Sequence, residues 1–114
     1  PARFKKLLDR FPDFPANIPH MGGLEFEAFL ELLDDHPGLC LDTSYSFVPH
    51  TLYQFDLGND CLEKYKDRIL YGSDFPNLIH PREDEIECLL HLGLSSEFYR
   101  KVFRDNGLAL IGRT

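Results

Sequence analysis

No apolar run in these 114 residues approaches the roughly 18 to 20 needed to span a bilayer, which excludes a membrane-spanning helix within them. Nothing at the start joins a basic segment to an apolar stretch and a small-residue cleavage site, so no secretory leader is read. The chain opens on Pro1 rather than Met, and that absence is weak evidence about what precedes it. Positive charge is scarce: 12 Lys and Arg stand against 19 Asp and Glu, a net charge of −7. A field of that sign repels nucleic acid and anionic membranes, so neither is expected as a partner. Cysteine is limited to Cys40, Cys61 and Cys88, with no C-x-x-C pair, which argues against a cysteine-based zinc or redox motif. Cys40 and Cys88 lie in apolar runs, where a free thiol acts as a small hydrophobe, and a reducing cytoplasm is the simplest compartment. A glycine-rich phosphate loop, a serine nucleophile elbow and a paired-carboxylate motif are all missing as well.

What is present suits one globular domain: 43% hydrophobic and 27% charged residues, with ten Phe and five Tyr as bulky core material. Phe4, Leu7, Leu8 and Phe11 recur at helical spacing until Pro12 and Pro15 end the helix. A short extended run, Asn17 to His20, is cut off by Gly22 and Gly23. Phe26, Phe29, Leu30 and Leu33 mark a second helix that stops at His36-Pro37-Gly38. Leu39 to Thr43 and Arg68 to Gly72 read as buried strands. Residues 44–60 form a long aromatic loop leading into a helix around Asp60 to Lys66, and loops of that length tend to be functional. Helices near Arg82–Leu92 and Ser96–Arg104 follow, with Ser95 or Ser96 as N-cap. The spacing predicts three parallel strands near 16–20, 39–43 and 68–73, joined by crossover helices. Three strands cannot close a barrel, so the order fits a small open α/β domain or a piece of something larger.

In parallel α/β folds the carboxyl ends of the strands face the ligand crevice. Polar clusters sit at those places: His20-Met21-Gly22-Gly23, Asp42-Thr43-Ser44 and Ser73-Asp74. An imidazole and a carboxylate from two strand ends are able to share a divalent metal or pass a proton. Each has a plainer reading. His20 is equally well a buried histidine bonded to backbone. Asp42 is better read as a strand-end residue accepting nearby N–H groups. Asp74 before Phe75-Pro76 fits a turn cap. His36 reads as a helix-end residue and His91 as surface or satisfied core, while His50 and His80 lie undecided in loops.

Taken in order, these segments resemble the amidohydrolase-related barrels. Phe4 to Pro12 with His20-Met21-Gly22-Gly23 is similar to their fifth helix and sixth strand, and Leu41-Asp42-Thr43-Ser44 to their seventh strand. Arg68-Ile69-Leu70-Tyr71-Gly72-Ser73-Asp74-Phe75-Pro76 resembles their eighth strand, and Asp105 to Leu110 their closing helix. The G-S-D-F-P segment is the most specific part. The resemblance implies that residues 1–114 are the C-terminal part (strands six to eight with their helices) of a single (β/α)8 TIM-barrel domain. It assigns Asp74 to a divalent metal, expected to be Zn2+, and to the proton of an attacking water. It places His20 in the metal site or beside it as an acid-base residue. The implied activity is metal-dependent hydrolysis of a small carboxylated or cyclic substrate. Alternatives are a non-oxidative decarboxylase, a lyase of the same family, and a catalytically silent fragment or interaction module. The H-x-H pair of strand one and the histidine of strand five have no counterpart here, so the N-terminal part of the barrel is an expected partner, and a homo-oligomer stays open. The Tyr45–Phe55 loop would lie on the active-site face, where its rings suit a planar substrate or simply fill the core.

Overall fold

The computed structural model describes residues 1–77 and 80–112. Helix α1 spans Ala2–Arg10 and ends two residues before Pro12. Strand β1, Ala16–Ile18, leads into a tight 3-10 segment, His20–Glu25, and then helix α2, Phe26–Asp35. Strand β2 is Leu39–Asp42, followed after a long loop by helix α3, Asn59–Lys64. Strand β3 is only Ile69–Leu70. Helix α4 runs Arg82–His91, and α5, Ser96–Arg100, passes through a π turn, Lys101–Asp105, into α6, Asn106–Leu110.

The three strands form one parallel sheet in the order β1-β2-β3, with Ile18 beside Leu41 and Leu41 beside Ile69. The expected strand order therefore holds, but β1 stops at Ile18 rather than reaching His20. Pro19 has no N–H to offer a ladder, and His20 and Met21 turn into the left-handed region. The polar Asn17 in a short strand also has a use. Its amide donates to Asp42 Oδ2 at 2.7 Å on the neighbouring strand.

Strand β2 is buried along its whole length, as a central parallel strand covered on both faces should be. Leu8, Leu33, Leu39, Leu41, Leu62, Ile69, Leu89 and Phe98 form the centre of the core, each nearly or wholly shielded from water. Burying each such side chain contributes roughly 1.5 to 3 kcal/mol. Polar anchors set the ends. Arg68 donates to the carbonyls of Leu33, His36 and Leu39, tying β3 to the end of α2 and the start of β2. Asn106 donates to Lys66 O at 2.6 Å and Ile69 O at 2.7 Å, which docks α6 on β3. Ser95 caps α5, its hydroxyl accepting the Phe98 N–H at 3.0 Å.

The aromatic loop divides its rings between two tasks. Phe47 and Phe55 pack together at 5.6 Å and Phe55 meets Phe26 at 5.3 Å, all against the core. Tyr45 and Tyr53 turn instead toward the ring of His20.

Candidate active site

Because the strands are parallel and in register, the residues that follow them share one edge of the sheet. Asp42 ends β2, and His20 and Asp74 follow the ends of β1 and β3, so all three lie toward the carboxyl edge of the sheet, where ligands of parallel sheets are bound.

Asp42 organises that edge. Buried at the end of β2, its Oδ1 accepts the backbone N–H of His20 at 3.2 Å, that of Ser44 at 3.1 Å and the Ser44 hydroxyl, while Oδ2 takes the Asn17 amide. The reading of Asp42 as a turn-binding carboxylate is correct. Gly72 is small for its sake. A Cβ there would lie 2.9 Å from Asp42 Cγ and Oδ1.

His20 stands at φ 57°, an uncommon conformation for a residue with a side chain. Its Nδ1 lies 2.9 Å from Ser44 O and 3.1 Å from Ser44 Oγ. A carbonyl oxygen only accepts, so Nδ1 carries the proton and Nε2 keeps a lone pair. Nε2 has no hydrogen-bond partner among the described residues. The ring stacks on Tyr53, with centroids 5.0 Å apart and planes 10° apart, and meets Tyr45 at 5.5 Å. Gly22, at φ 94°, makes the next turn. A Cβ on it would meet Phe29 Cδ2 at 2.7 Å.

Asp74 is also left-handed, at φ 58°, and half-buried. Its backbone carbonyl closes the turn by accepting Asn77 N–H at 2.8 Å. The carboxylate makes no hydrogen bond or ion pair among the described residues, so it is not what caps the turn. Two of the strand-end residues singled out by sequence thus hold backbone conformations that cost of order 1 to 3 kcal/mol, and such strain gathers at functional sites.

The remaining histidines separate. His36, buried before β2 and hence at the amino end of the sheet, places Nε2 3.4 Å from Asp9. His91 is exposed and bonds Glu87 O through Nδ1 at 2.7 Å, and His50 is exposed in the loop. His80 belongs to the site region: its ring meets Tyr45 edge-on at 5.5 Å, and Nδ1 donates to Pro81 O at 3.0 Å.

One residue of this region gave no motif. Glu85, in the first turn of α4, has no exposed surface. Burial pushes its carboxyl up to about 7, with the charges of Asp42 and Asp74 adding to the effect and His80 and the Tyr45 N–H opposing it. In the sequence it sits in an acidic run, Glu83-Asp84-Glu85, that reads as a solvated helix start favoured by the helix dipole. The available signal is its phase, four residues before the buried Leu89.

Among the described residues no three His, Cys, Asp or Glu side chains form a metal-binding group. The Nε2 lone pair of His20 and the open carboxylate of Asp74 are donors of the kind a catalytic zinc takes, and they fit as two members of such a set. A groove of about 540 Å³ lies elsewhere, between the start of α2 and the loop. It is lined by Leu24, Phe26, Leu52 and Leu57 with Glu25 and Asp56, and carries none of these donors.

Two solved structures share this fold. An uncharacterised TIM-barrel protein from Bordetella bronchiseptica matches with a TM-score of 0.75 at 20% identity, over 96% of this chain and 38% of its own. A probable 2-pyrone-4,6-dicarboxylic acid hydrolase from Acinetobacter baumannii, with citric acid bound, matches with a TM-score of 0.66 at 18% identity, over 94% of this chain and 48% of its own. The chain thus spans less than half the length of either. No curated protein matches it. The small parallel α/β sheet corresponds to part of these barrels, and the sequence pattern of the amidohydrolase family matches residues 1–113, so the chain belongs to that family.

Proposed function

We propose that residues 1–114 are the C-terminal part of one barrel domain, with β1, β2 and β3 as strands six, seven and eight, and that the intact protein is a metal-dependent hydrolase. The observation that carries this reading is the pair His20 and Asp74, both strained, both following parallel strand ends and both with an unengaged donor on one edge of the sheet. Asp74 and His20 would hold a divalent ion, with zinc the first to test and the other ligands supplied by the rest of the barrel. When bound, such an ion lowers the pKa of water to roughly 7, so that hydroxide is available near neutral pH.

The chain's own groups have distinct tasks in this reading. A carboxylate oxygen of Asp74 accepts the proton released by the attacking water. His20, its Nδ1 proton fixed by Ser44, presents Nε2 as ligand or proton acceptor. Tyr53 and Tyr45 make an aromatic wall at the imidazole, which suits a flat or cyclic substrate. The substrate class is a small carboxylated or cyclic compound, in keeping with the 2-pyrone dicarboxylate named for the Acinetobacter neighbour. The test is metal analysis of the intact protein with a screen of lactones, pyrones and aromatic carboxylic acids. A stoichiometric divalent metal, with turnover lost on chelation and restored by zinc, is the expected result. Full turnover in the chelated protein would overturn the metal-dependent reading.

A further inference from the structure

A serine, a histidine and an aspartate meet at the carboxyl edge of the sheet. Ser44 Oγ lies 3.1 Å from His20 Nδ1 and donates to Asp42 Oδ1. The same three residue types make the nucleophilic triad of many hydrolases, where the histidine takes the hydroxyl proton and the carboxylate holds the histidine ring. Here the order is different. Asp42 binds the serine hydroxyl, and it meets His20 at the backbone N–H rather than at the ring.

The direction of the hydroxyl follows from Asp42. Its Oδ1 accepts the N–H groups of His20 and Ser44, and Oδ2 accepts the Asn17 amide, so the carboxylate is an acceptor at every one of these contacts. A hydroxyl has one proton. With that proton given to Asp42, Oγ has only lone pairs to turn toward Nδ1. Nδ1 therefore faces two acceptors of one residue, Ser44 O at 2.9 Å and Ser44 Oγ at 3.1 Å. The carbonyl is held in turn, since Ser46 Oγ donates to it at 3.2 Å. Ser44 is 2% exposed and Ser46 0%, which keeps a substrate carbonyl away from Oγ.

We propose that Ser44 is a positioning residue for His20, its hydroxyl aligned by Asp42 so that the ring proton stays on Nδ1 and the Nε2 lone pair is the one left for chemistry. The proposal deepens the reading of His20 as an active-site residue and rests on it. Ser44 attacks no substrate. Its own proton is committed to Asp42, and the nitrogen beside it already carries one and cannot take another.

The test uses the intact protein, isotope-labelled at its histidine rings. The ring nitrogen resonances give the tautomer of His20, read with chelator present so that no cation on Nε2 decides it. Turnover is measured separately on the untreated protein as kcat and KM. The wild type is expected to hold the proton on Nδ1. Ser44→Ala removes one of the two acceptors and should move the tautomer ratio about two- to tenfold toward Nε2–H, the effect of losing one hydrogen bond. It should lower kcat about tenfold or more, as loss of an orienting partner does, with KM changed less than about twofold. Ser44→Thr keeps a hydroxyl and should restore most of both. Should Ser44→Ala fail to fold, Ser44→Cys takes its place, since a thiol fills the space but accepts only weakly. A fluorophosphonate probe, which labels activated serines, should leave Ser44 unmarked. An unmoved tautomer ratio, or covalent labelling of Ser44, would overturn the positioning role. His20→Asn separates the two ideas: normal turnover in it defeats the reading of His20, whereas the tautomer shift reports the coupling to Ser44 whatever the reaction is.

Discussion

Nδ1 of His20 stands 2.9 Å from the backbone carbonyl of Ser44, and the hydroxyl and N–H of that same serine are bound by Asp42 Oδ1. One carboxylate on β2 therefore sets the backbone of His20, the position of the carbonyl that fixes its tautomer and, through Asn17, the register of β1. The imidazole is an outcome of strand pairing rather than of its own loop.

Asp42→Ala should accordingly damage both fold and site. It leaves the Ser44 and His20 N–H groups and the Asn17 amide without their acceptor, and buried donors left open cost about 1 to 3 kcal/mol each. A loss of roughly 3 kcal/mol in denaturant unfolding is expected, with turnover lowered beyond what the folded fraction explains. Unchanged stability would mean that Asp42 is not the hub.

Gly72→Ala tests the same hub from the neighbouring strand. The new methyl would lie 2.9 Å from Asp42 Cγ, a distance that forces one of the two to move. Overpacking of this kind costs about 1 to 3 kcal/mol, and because the atom displaced is Asp42, the His20 ring resonances should shift as well. A stable variant with unshifted resonances would refute the close packing of β2 and β3 at this edge.

The pH dependence of stability should carry the mark of Glu85. Its carboxyl is raised from an ordinary 4.5 to about 7 in the folded chain. Below 4.5 both states hold the proton. As pH climbs further the unfolded chain releases it first, so stability falls until the folded group has also ionised, just above 7. The contribution lost across that window is about 3 kcal/mol from linkage, at roughly 1.4 kcal/mol per unit. Urea midpoints of the wild type between pH 4.5 and 8, set against Glu85→Gln, measure it. The variant should show a flatter profile, and two parallel profiles would exclude Glu85 as the source.

Helical periodicity made α1 and α2 readable to within two residues, since each has one clear apolar stripe and a Pro or Gly nearby, whereas α4, whose buried face includes Glu85, was bounded by Gly93 rather than by its stripe. The parallel order of the strands followed from the alternation of elements. Strand length did not, because the end of β1 is decided by Pro19 and by two left-handed residues that no pattern of hydrophobicity records. The π turn at Lys101–Asp105 is likewise silent in the sequence, which has neither Pro nor Gly there. At the site, His20, Asp42 and Asp74 were visible as polar residues after apolar runs. Glu85 and the placing of Tyr45 and Tyr53 against the His20 ring were not, since burial of one acid among three and the approach of two loop rings to an imidazole depend on tertiary contacts.

The sharpest division between function and fold comes from Asp74→Asn and His20→Asn in the intact protein. Asp74→Asn keeps the size of the side chain and its tolerance of the left-handed backbone but removes the charge, so cation binding and proton acceptance both suffer. His20→Asn removes Nε2 while leaving a polar group at a position where Asn is also tolerated at positive φ. Neither carboxylate nor imidazole fills the apolar core, so thermal midpoints should stay within a few degrees of the wild type. Turnover should drop by about 100-fold or more in each, the amount typical of losing an acid-base group. Metal content should fall in both, since each removes a proposed ligand. A structural histidine or turn-binding aspartate gives the opposite pattern, a lowered midpoint with turnover spared. Measuring midpoint, metal content and kcat on both variants decides between them, and a drop in midpoint with near-normal kcat would remove His20 and Asp74 from the active site.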